Sequence, residues 1–150
     1  MNDEWYTPKE IIDDLGMFDL DPCAPVEPLF PTAKVMYNKL DDGLSKEWFG
    51  RVWLNPPYSR PLIELFVNKL SEHGNGIALL FNKCDNKMFH EVIFKNAEAM
   101  IFMRNRIRFL KPDGMRGNAP NHGSVLVAFG EENTKILEQS RLEGKFIKLK

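Results

Sequence analysis

Apolar residues recur along this chain with two different periods. Between Pro61 and Leu70 they fall at Leu62, Ile63, Leu65, Phe66, Val67 and Leu70, the spacing that lays an apolar stripe along a helix. Ile11, Ile12 and Leu15 repeat it in a shorter stretch, and Met88, Phe89, Val92 and Ile93 repeat it between Asn86 and Lys95. Glu131 to Leu142 predicts a last helix. Ile77 to Phe81 is continuously apolar instead, as in a strand buried on both faces. Arg51 to Leu54, Ala99 to Met103 and Ser124 to Phe129 are further short β-favouring runs. Phe18 to Asp21, Val35 to Tyr37 and Phe146 to Leu149 add shorter candidate strands, and Arg106-Ile107-Arg108-Phe109-Leu110 alternates as an exposed strand does.

The residues between these runs mark where elements start and stop. Thr7 has the chemistry of an N-cap and Pro8 suits a first helical position, and Glu10 completes a capping box with Thr7. Gly16 closes that helix. Pro22, Pro25, Pro28 and Pro31 exclude regular structure from residues 23–33. Asp41-Asp42-Gly43 predicts a turn, Ser45 to Trp48 one helical turn, and Gly74-Asn75-Gly76 a helix end. Residues 111–123 form a loop rich in Gly, Pro and Asn. The order strand, helix, strand, helix, with a hairpin-like pair near the end, predicts a three-layer α/β fold with a mostly parallel sheet. At 150 residues it is expected to form one domain over 1–150.

Composition adds little until charge is split along the chain. Hydrophobic content of 43% and charged content of 27% are those of an ordinary water-soluble domain. No apolar run has the length of a membrane helix, and the acidic start Met1-Asn2-Asp3-Glu4 lacks the basic-then-apolar order of a signal peptide. Cys23 and Cys84 have no metal-ligand spacing, so no metal is expected and a reducing, cytoplasmic compartment suits two free thiols. The net charge of −1 conceals an asymmetry: residues 1–75 carry 7 Lys/Arg against 13 Asp/Glu, and residues 76–150 carry 13 against 8. Lys83, Lys87, Arg104, Arg106, Arg108 and Arg116 lie in the basic block 83–116 and are candidates for phosphate contact. A solvated face with scattered lysines is the other reading of that block.

The candidate chemistry centres on Asn55-Pro56-Pro57-Tyr58, directly after the strand Arg51 to Leu54. Polar groups at a strand's carboxyl end in an α/β sheet stand where ligands bind. Two prolines stiffen the backbone that presents them. An amide, a rigid carbonyl and an aromatic face are the parts that hold a flat base by its amino group.

This motif resembles the catalytic motif of amino-directed methyltransferases that use S-adenosylmethionine. Further segments are similar to one family, the phage-type (Dam-like) DNA N6-adenine methyltransferases: Glu4-Trp5-Tyr6-Thr7-Pro8, Asp19-Leu20-Asp21-Pro22, and Asp41-Asp42-Gly43-Leu44 running on through Trp48 to Leu54. Phe89-His90, Arg106 to Phe109 and Gly123 to Gly130 extend the similarity over about residues 4–130. The resemblance implies a compact Rossmann-like fold, S-adenosylmethionine as cofactor, DNA as partner, and a phage- or prophage-encoded enzyme acting in the bacterial cytoplasm on a flipped-out adenine. By the same resemblance, Asn55 Oδ1 and the Pro56 carbonyl accept from the adenine amino group and Tyr58 stacks on the base. Tyr6, Thr7, Asp21, Asp42 and Asn55 fall to the cofactor: Thr7 near its methionine carboxylate, Asp21 near its methionine or ribose end, Asp42 at its adenine amino group with Asp41 as rival.

The sequence also departs from the family's relatives. The family often has Asp where Asn55 stands; Cys23-Ala24-Pro25 replaces the glycine-rich loop of classical cofactor sites and in this resembles the phage family. The interval of about 34 residues between Asp21 and Asn55 is short for two strand–helix units, so one unit is expected to be shortened or missing. Two other activities share parts of the pattern. A protein glutamine-amide N-methyltransferase meets the same lone-pair problem, and a catalytically inactive nucleic-acid-binding module would keep the basic block alone.

Overall fold

The computed structural model describes residues 6–118 and 120–150. The acidic start, Glu4 and Trp5 of the first matching segment, and Ala119 of the long loop lie outside the described residues. Seven strands form one sheet: β1 (Phe18–Asp21), β2 (Ala33–Met36), β3 (Val52–Leu54), β4 (Gly76–Phe81), β5 (Ala99–Met103), β6 (Ser124–Phe129) and β7 (Gly144–Lys148). The helices are α1 (Lys9–Leu15), α2 (Leu62–His73), α3 (Phe94–Asn96, continuing from a π-helical segment Phe89–Ile93) and α4 (Glu131–Gln139). No helix among the described residues is long and apolar enough to cross a membrane.

The spatial order is β2-β1-β3-β4-β6-β5-β7. It corrects the expectation of a mostly parallel sheet. The β1–β2, β1–β3 and β3–β4 pairings are parallel, but β4–β6, β5–β6 and β5–β7 are antiparallel and form the longer ladders. The cause is that β5 and β6 are consecutive and joined by a returning loop, so β6 enters the sheet reversed between β4 and β5. Continuous apolar runs predict burial on both faces, and they carry no information on direction.

Apolar side chains fill both faces of the sheet. Phe66, Val67 and Leu70 of α2 and Phe89 and Ile93 of the π-helical turn cover Leu20, Leu54 and Leu80 on one side. Ile11, Ile12 and Leu15 of α1 and Leu137 of α4 cover Phe18, Trp53 and Leu79 on the other. The result is the expected three layers. Gly74 ends α2 with φ of 77° and donates its N–H to Leu70 O at 2.8 Å, the left-handed stop that Gly allows.

Three local expectations are corrected. Arg106 to Leu110 is not a strand; its alternation instead buries Ile107 and Phe109 under the sheet's α1 side while Arg106 and Arg108 face outward. The Thr7–Glu10 capping box does not form: α1 begins at Lys9 after Pro8, and no side chain caps it. The helical turn expected at Ser45 to Trp48 is a 3₁₀ turn at Gly43–Ser45. The shortened unit is found: residues 22–32 link β1 to its parallel neighbour β2 with no helix, and only the 3₁₀ turn lies between β2 and β3.

At the edge away from the carboxyl ends of β1, β3 and β4, Arg51 is a buried cation, 9% exposed. Its Nε donates to Asn133 Oδ1 at 2.8 Å and its Nη2 to Leu15 O at 3.0 Å, while the guanidinium lies 4.1 Å from the Phe18 ring centroid. It ties the carbonyl end of α1 to α4 across the base of the sheet.

Candidate active site

Because β1, β3 and β4 run parallel, Asp21, Asn55 and Phe81 come to one edge. The chain leaves β1 for β2 on one side and returns to β3 on the other, so the strand order reverses between Asp21 and Asn55. Such a switch point opens a crevice outside the strand ends. Here it is a narrow cleft lined by Tyr6, Thr7, Asp21, Thr32, Trp53 and Asn55, among others.

Asn55 is 9% exposed and its side chain is held at both ends. Nδ2 donates to Thr7 Oγ1 at 2.9 Å. Oδ1 lies 3.3 Å from the Tyr58 hydroxyl, whose shorter bond is to Leu79 O at 2.8 Å. Burial holds the Tyr58 phenol well above its ordinary pKa, so it stays a neutral donor. The Tyr58 ring stacks on Phe81 with centroids 4.4 Å apart and planes 26° apart. Phe81 in turn meets Phe109 and His122. Pro56 is buried beside Asn55.

Asp21 is 2% exposed. Its carboxylate accepts from the Thr32 hydroxyl and from Cys23 N–H. Burial outweighs both bonds and raises its pKa to about 6. Burial, with the Asp21 charge added, pushes the Cys23 thiol far up, so it is not a nucleophile. Tyr6 is buried with its hydroxyl 3.3 Å from Glu27 O in the proline-rich loop.

Asp42 is placed apart from these residues. It is exposed, sits in the left-handed conformation with φ of 58° at the start of the 3₁₀ turn, and does not line the cleft. Its neighbour Gly43 packs so tightly on the Pro22 carbonyl that a Cβ there would collide with it. The turn is thus pinned beside the Asp21 end of the cleft. Asp41 Oδ2 accepts from Asn38 N at 2.9 Å, so it closes its own turn.

The basic candidates do not form one stripe. Arg106 Nη1 donates to Pro120 O, Arg108 Nε to Gly117 O, and Arg116 Nη2 to Glu10 Oε1 at 2.6 Å. Arg106 and Arg108 brace the loop internally, while Arg116 ties it to α1 and the Leu110 N–H bond to Tyr6 O at 2.8 Å ties it to the cleft's edge. Lys83 lines a second cleft with Tyr58, Phe81 and Asn86. Lys87 faces Glu91 at 3.9 Å, and Arg104 faces Glu143 at 4.0 Å in a groove beside β7.

Residues 1–143 match the family model described as DNA N-6-adenine-methyltransferase (Dam). The chain belongs to the DNA N-6-adenine-methyltransferase (Dam) family. A DNA N-6-adenine-methyltransferase of Escherichia phage T1 is 34% identical over 113 residues, 69% of this chain and 45% of the phage protein. The chain therefore spans less than half of that curated relative's length. No solved structure matches.

In this Dam-family chain the structure brings together Tyr6, Thr7, Asp21, Asn55 and Tyr58. Asp42 is left at the cleft's border, and the basic residues are spread over separate grooves. Sequence reasoning missed Thr32 and Phe81. Thr32 follows the last of the four prolines, where no periodicity marks a position. Phe81 is legible as a strand end, and the same logic that selects Asn55 selects it.

Proposed function

We propose that this protein is an S-adenosylmethionine-dependent DNA adenine N6-methyltransferase, built as one domain over residues 1–150. The single observation that carries this reading is Asn55, buried at the switch point with its amide oriented between Thr7 and Tyr58. Family membership supplies the substrate class. The order β2-β1-β3-β4, with its reversal at β1, favours a Rossmann-like sheet that has lost one strand–helix unit.

The cleft residues suit the cofactor. A buried acid at Asp21, its pKa raised to about 6 by desolvation, gains when a cationic group arrives beside it. Tyr6, Thr7 and Trp53 supply the walls, and Asp42 borders the cleft through Gly43. S-adenosylmethionine, when bound, supplies a methyl group on a sulfonium, ready for direct transfer.

The remaining chemistry belongs to the chain's own groups. An adenine amino nitrogen is a poor nucleophile because its lone pair is conjugated into the ring. Asn55 Oδ1 and the Pro56 carbonyl accept its two hydrogens and draw the nitrogen toward a tetrahedral shape, which frees the lone pair. Both acceptors are preorganised, so the gain is orientation and electrostatic stabilisation rather than proton abstraction. The amino proton leaves to solvent after the new C–N bond forms. Tyr58 and Phe81 form an aromatic wall for a base taken out of the stack. Arg106, Arg108 and Arg116 present loop 104–123 toward the phosphates; each uses one of its five donors to hold the loop.

The test is long-read modification mapping of DNA from cells that express the protein. N6-methyladenine in a defined sequence context is expected. Unmodified adenine throughout, with the folded protein abundant in the cells, would overturn the reading.

A further inference from the structure

A primary carboxamide can turn by 180° with almost no change in shape. The two orientations have opposite chemistry: one presents an acceptor, the other a donor. An adenine amino group is itself a donor, so Asn55 works in one orientation only. A carboxylate at this position has no such problem, because its two oxygens are equivalent.

The segment before α1 addresses this. Thr7 has the sequence context of a helix cap, yet no side chain caps α1. Its hydroxyl lies instead 2.9 Å from Asn55 Nδ2, and both residues are buried, Thr7 at 4% exposure. With Nδ2 on Thr7, Oδ1 faces the Tyr58 hydroxyl, which donates to it at 3.3 Å on the side that bears the aromatic wall. Thr7 and Asn55 are 48 positions apart, and the Leu110 bond to Tyr6 O holds the Thr7 segment in place.

We propose that Thr7 is a positioning residue: its hydroxyl accepts from Asn55 Nδ2 while the Tyr58 hydroxyl donates to Oδ1, and the two bonds together hold the carboxamide with its oxygen toward the substrate's amino group. This rests on the reading of Asn55 as the amino-group acceptor. It predicts that an asparagine at this motif position depends on the threonine, and an aspartate does not.

The experiment is a double-mutant cycle read at saturating donor and DNA. Thr7→Val should lower kcat by about tenfold or more, equivalent to ~1.4 kcal/mol, with KM for DNA within about threefold. Thr7→Ser, which keeps the hydroxyl, should stay within about threefold of wild type. In the Asn55→Asp background, Thr7→Val should cost less than about threefold. An equal cost of Thr7→Val in both backgrounds, or a Thr7→Ser loss as large as that of Thr7→Val, overturns the inference, since packing or donor binding then explains the effect. Should Asn55→Asp have no measurable turnover, the Ser and Val arms decide alone. A wild-type rate in Asn55→Ala would instead overturn the underlying reading of Asn55.

Discussion

Asp21→Asn should stabilise the protein near neutral pH while removing its function. The carboxyl group is 2% exposed, and burial raises its pKa from 3.8 to about 6, against the Thr32 and Cys23 bonds that pull it down. In the unfolded chain it ionises near its ordinary value. Below about pH 4 it is protonated in both states and favours the fold relative to higher pH. As pH rises toward 6 the unfolded chain ionises first, and that stability is lost. A displacement of about two units corresponds to ~3 kcal/mol, fully lost above about pH 6. The Asn side chain has the same shape, keeps its one acceptor for the Cys23 N–H while its NH2 donates to the Thr32 hydroxyl oxygen, and cannot ionise. Urea denaturation at pH 7.5 should therefore find Asp21→Asn more stable than wild type by ~1–3 kcal/mol, and the gap should shrink as pH falls, to about a third at pH 4.5, and close below about pH 4. A cationic donor reverses the balance by favouring the ionised acid. Its affinity for wild type should rise as pH goes from 5 to 7, by up to about tenfold per unit below the pKa, and should be weak and pH-independent in the variant. A variant less stable than wild type by the same amount at both pH values would refute the reasoning, because Asp21 would then be comfortably ionised in the fold.

Other substitutions test separate parts of the account. Gly43→Ala forces a Cβ onto the Pro22 carbonyl; it should cost ~1–3 kcal/mol in urea unfolding and weaken donor binding in calorimetry by about tenfold. Arg51→Met leaves the Leu15 carbonyl and Asn133 Oδ1 without their buried donor; a loss of ~3 kcal/mol in denaturation with an unchanged donor Kd is expected. Arg106→Ala and Arg108→Ala should each reduce the slope of log K against log salt by about 0.9 in DNA binding, and equally for all sequences, as phosphate contacts do.

The elements with strong periodicity are legible in the amino-acid sequence. Ala99 to Met103 and Ser124 to Phe129 form strands with those same bounds, and α2 runs from Leu62 to His73 as its stripe and Gly74 imply. Strand direction and partner are not legible there: β6 lies beside β4 through contacts that no local pattern encodes. Loop chemistry misleads for a related reason. Thr7, Pro8 and Glu10 satisfy the local rule for a cap, but the Thr7 hydroxyl is taken by Asn55 and the Glu10 carboxylate by Arg116, both distant in sequence. Arg106 to Leu110 alternates as a strand would, yet its inward residues bury without a ladder. The motif Asn55 to Tyr58 is legible because a strand end and two prolines fix it locally. Thr32, the partner of Asp21, sits where prolines erase any period, and only the fold brings it to the acid. For Asp42, with Asp41 as rival, the sequence leaves an even choice between a cofactor contact and a solvated turn; the structure commits Asp41 to its own turn and leaves Asp42 exposed at the border of the cleft.

The central claim is that Asn55 activates the acceptor's amino group. Transfer of a labelled methyl group from S-adenosylmethionine to unmethylated duplex DNA, by wild type and by Asn55→Ala, tests it most directly. The account predicts rapid labelling by wild type and a loss of about a hundredfold or more in the variant, the scale of removing one preorganised polar group from a transition state, with donor and DNA Kd within about threefold. Labelling by Asn55→Ala within about threefold of wild type would contradict it.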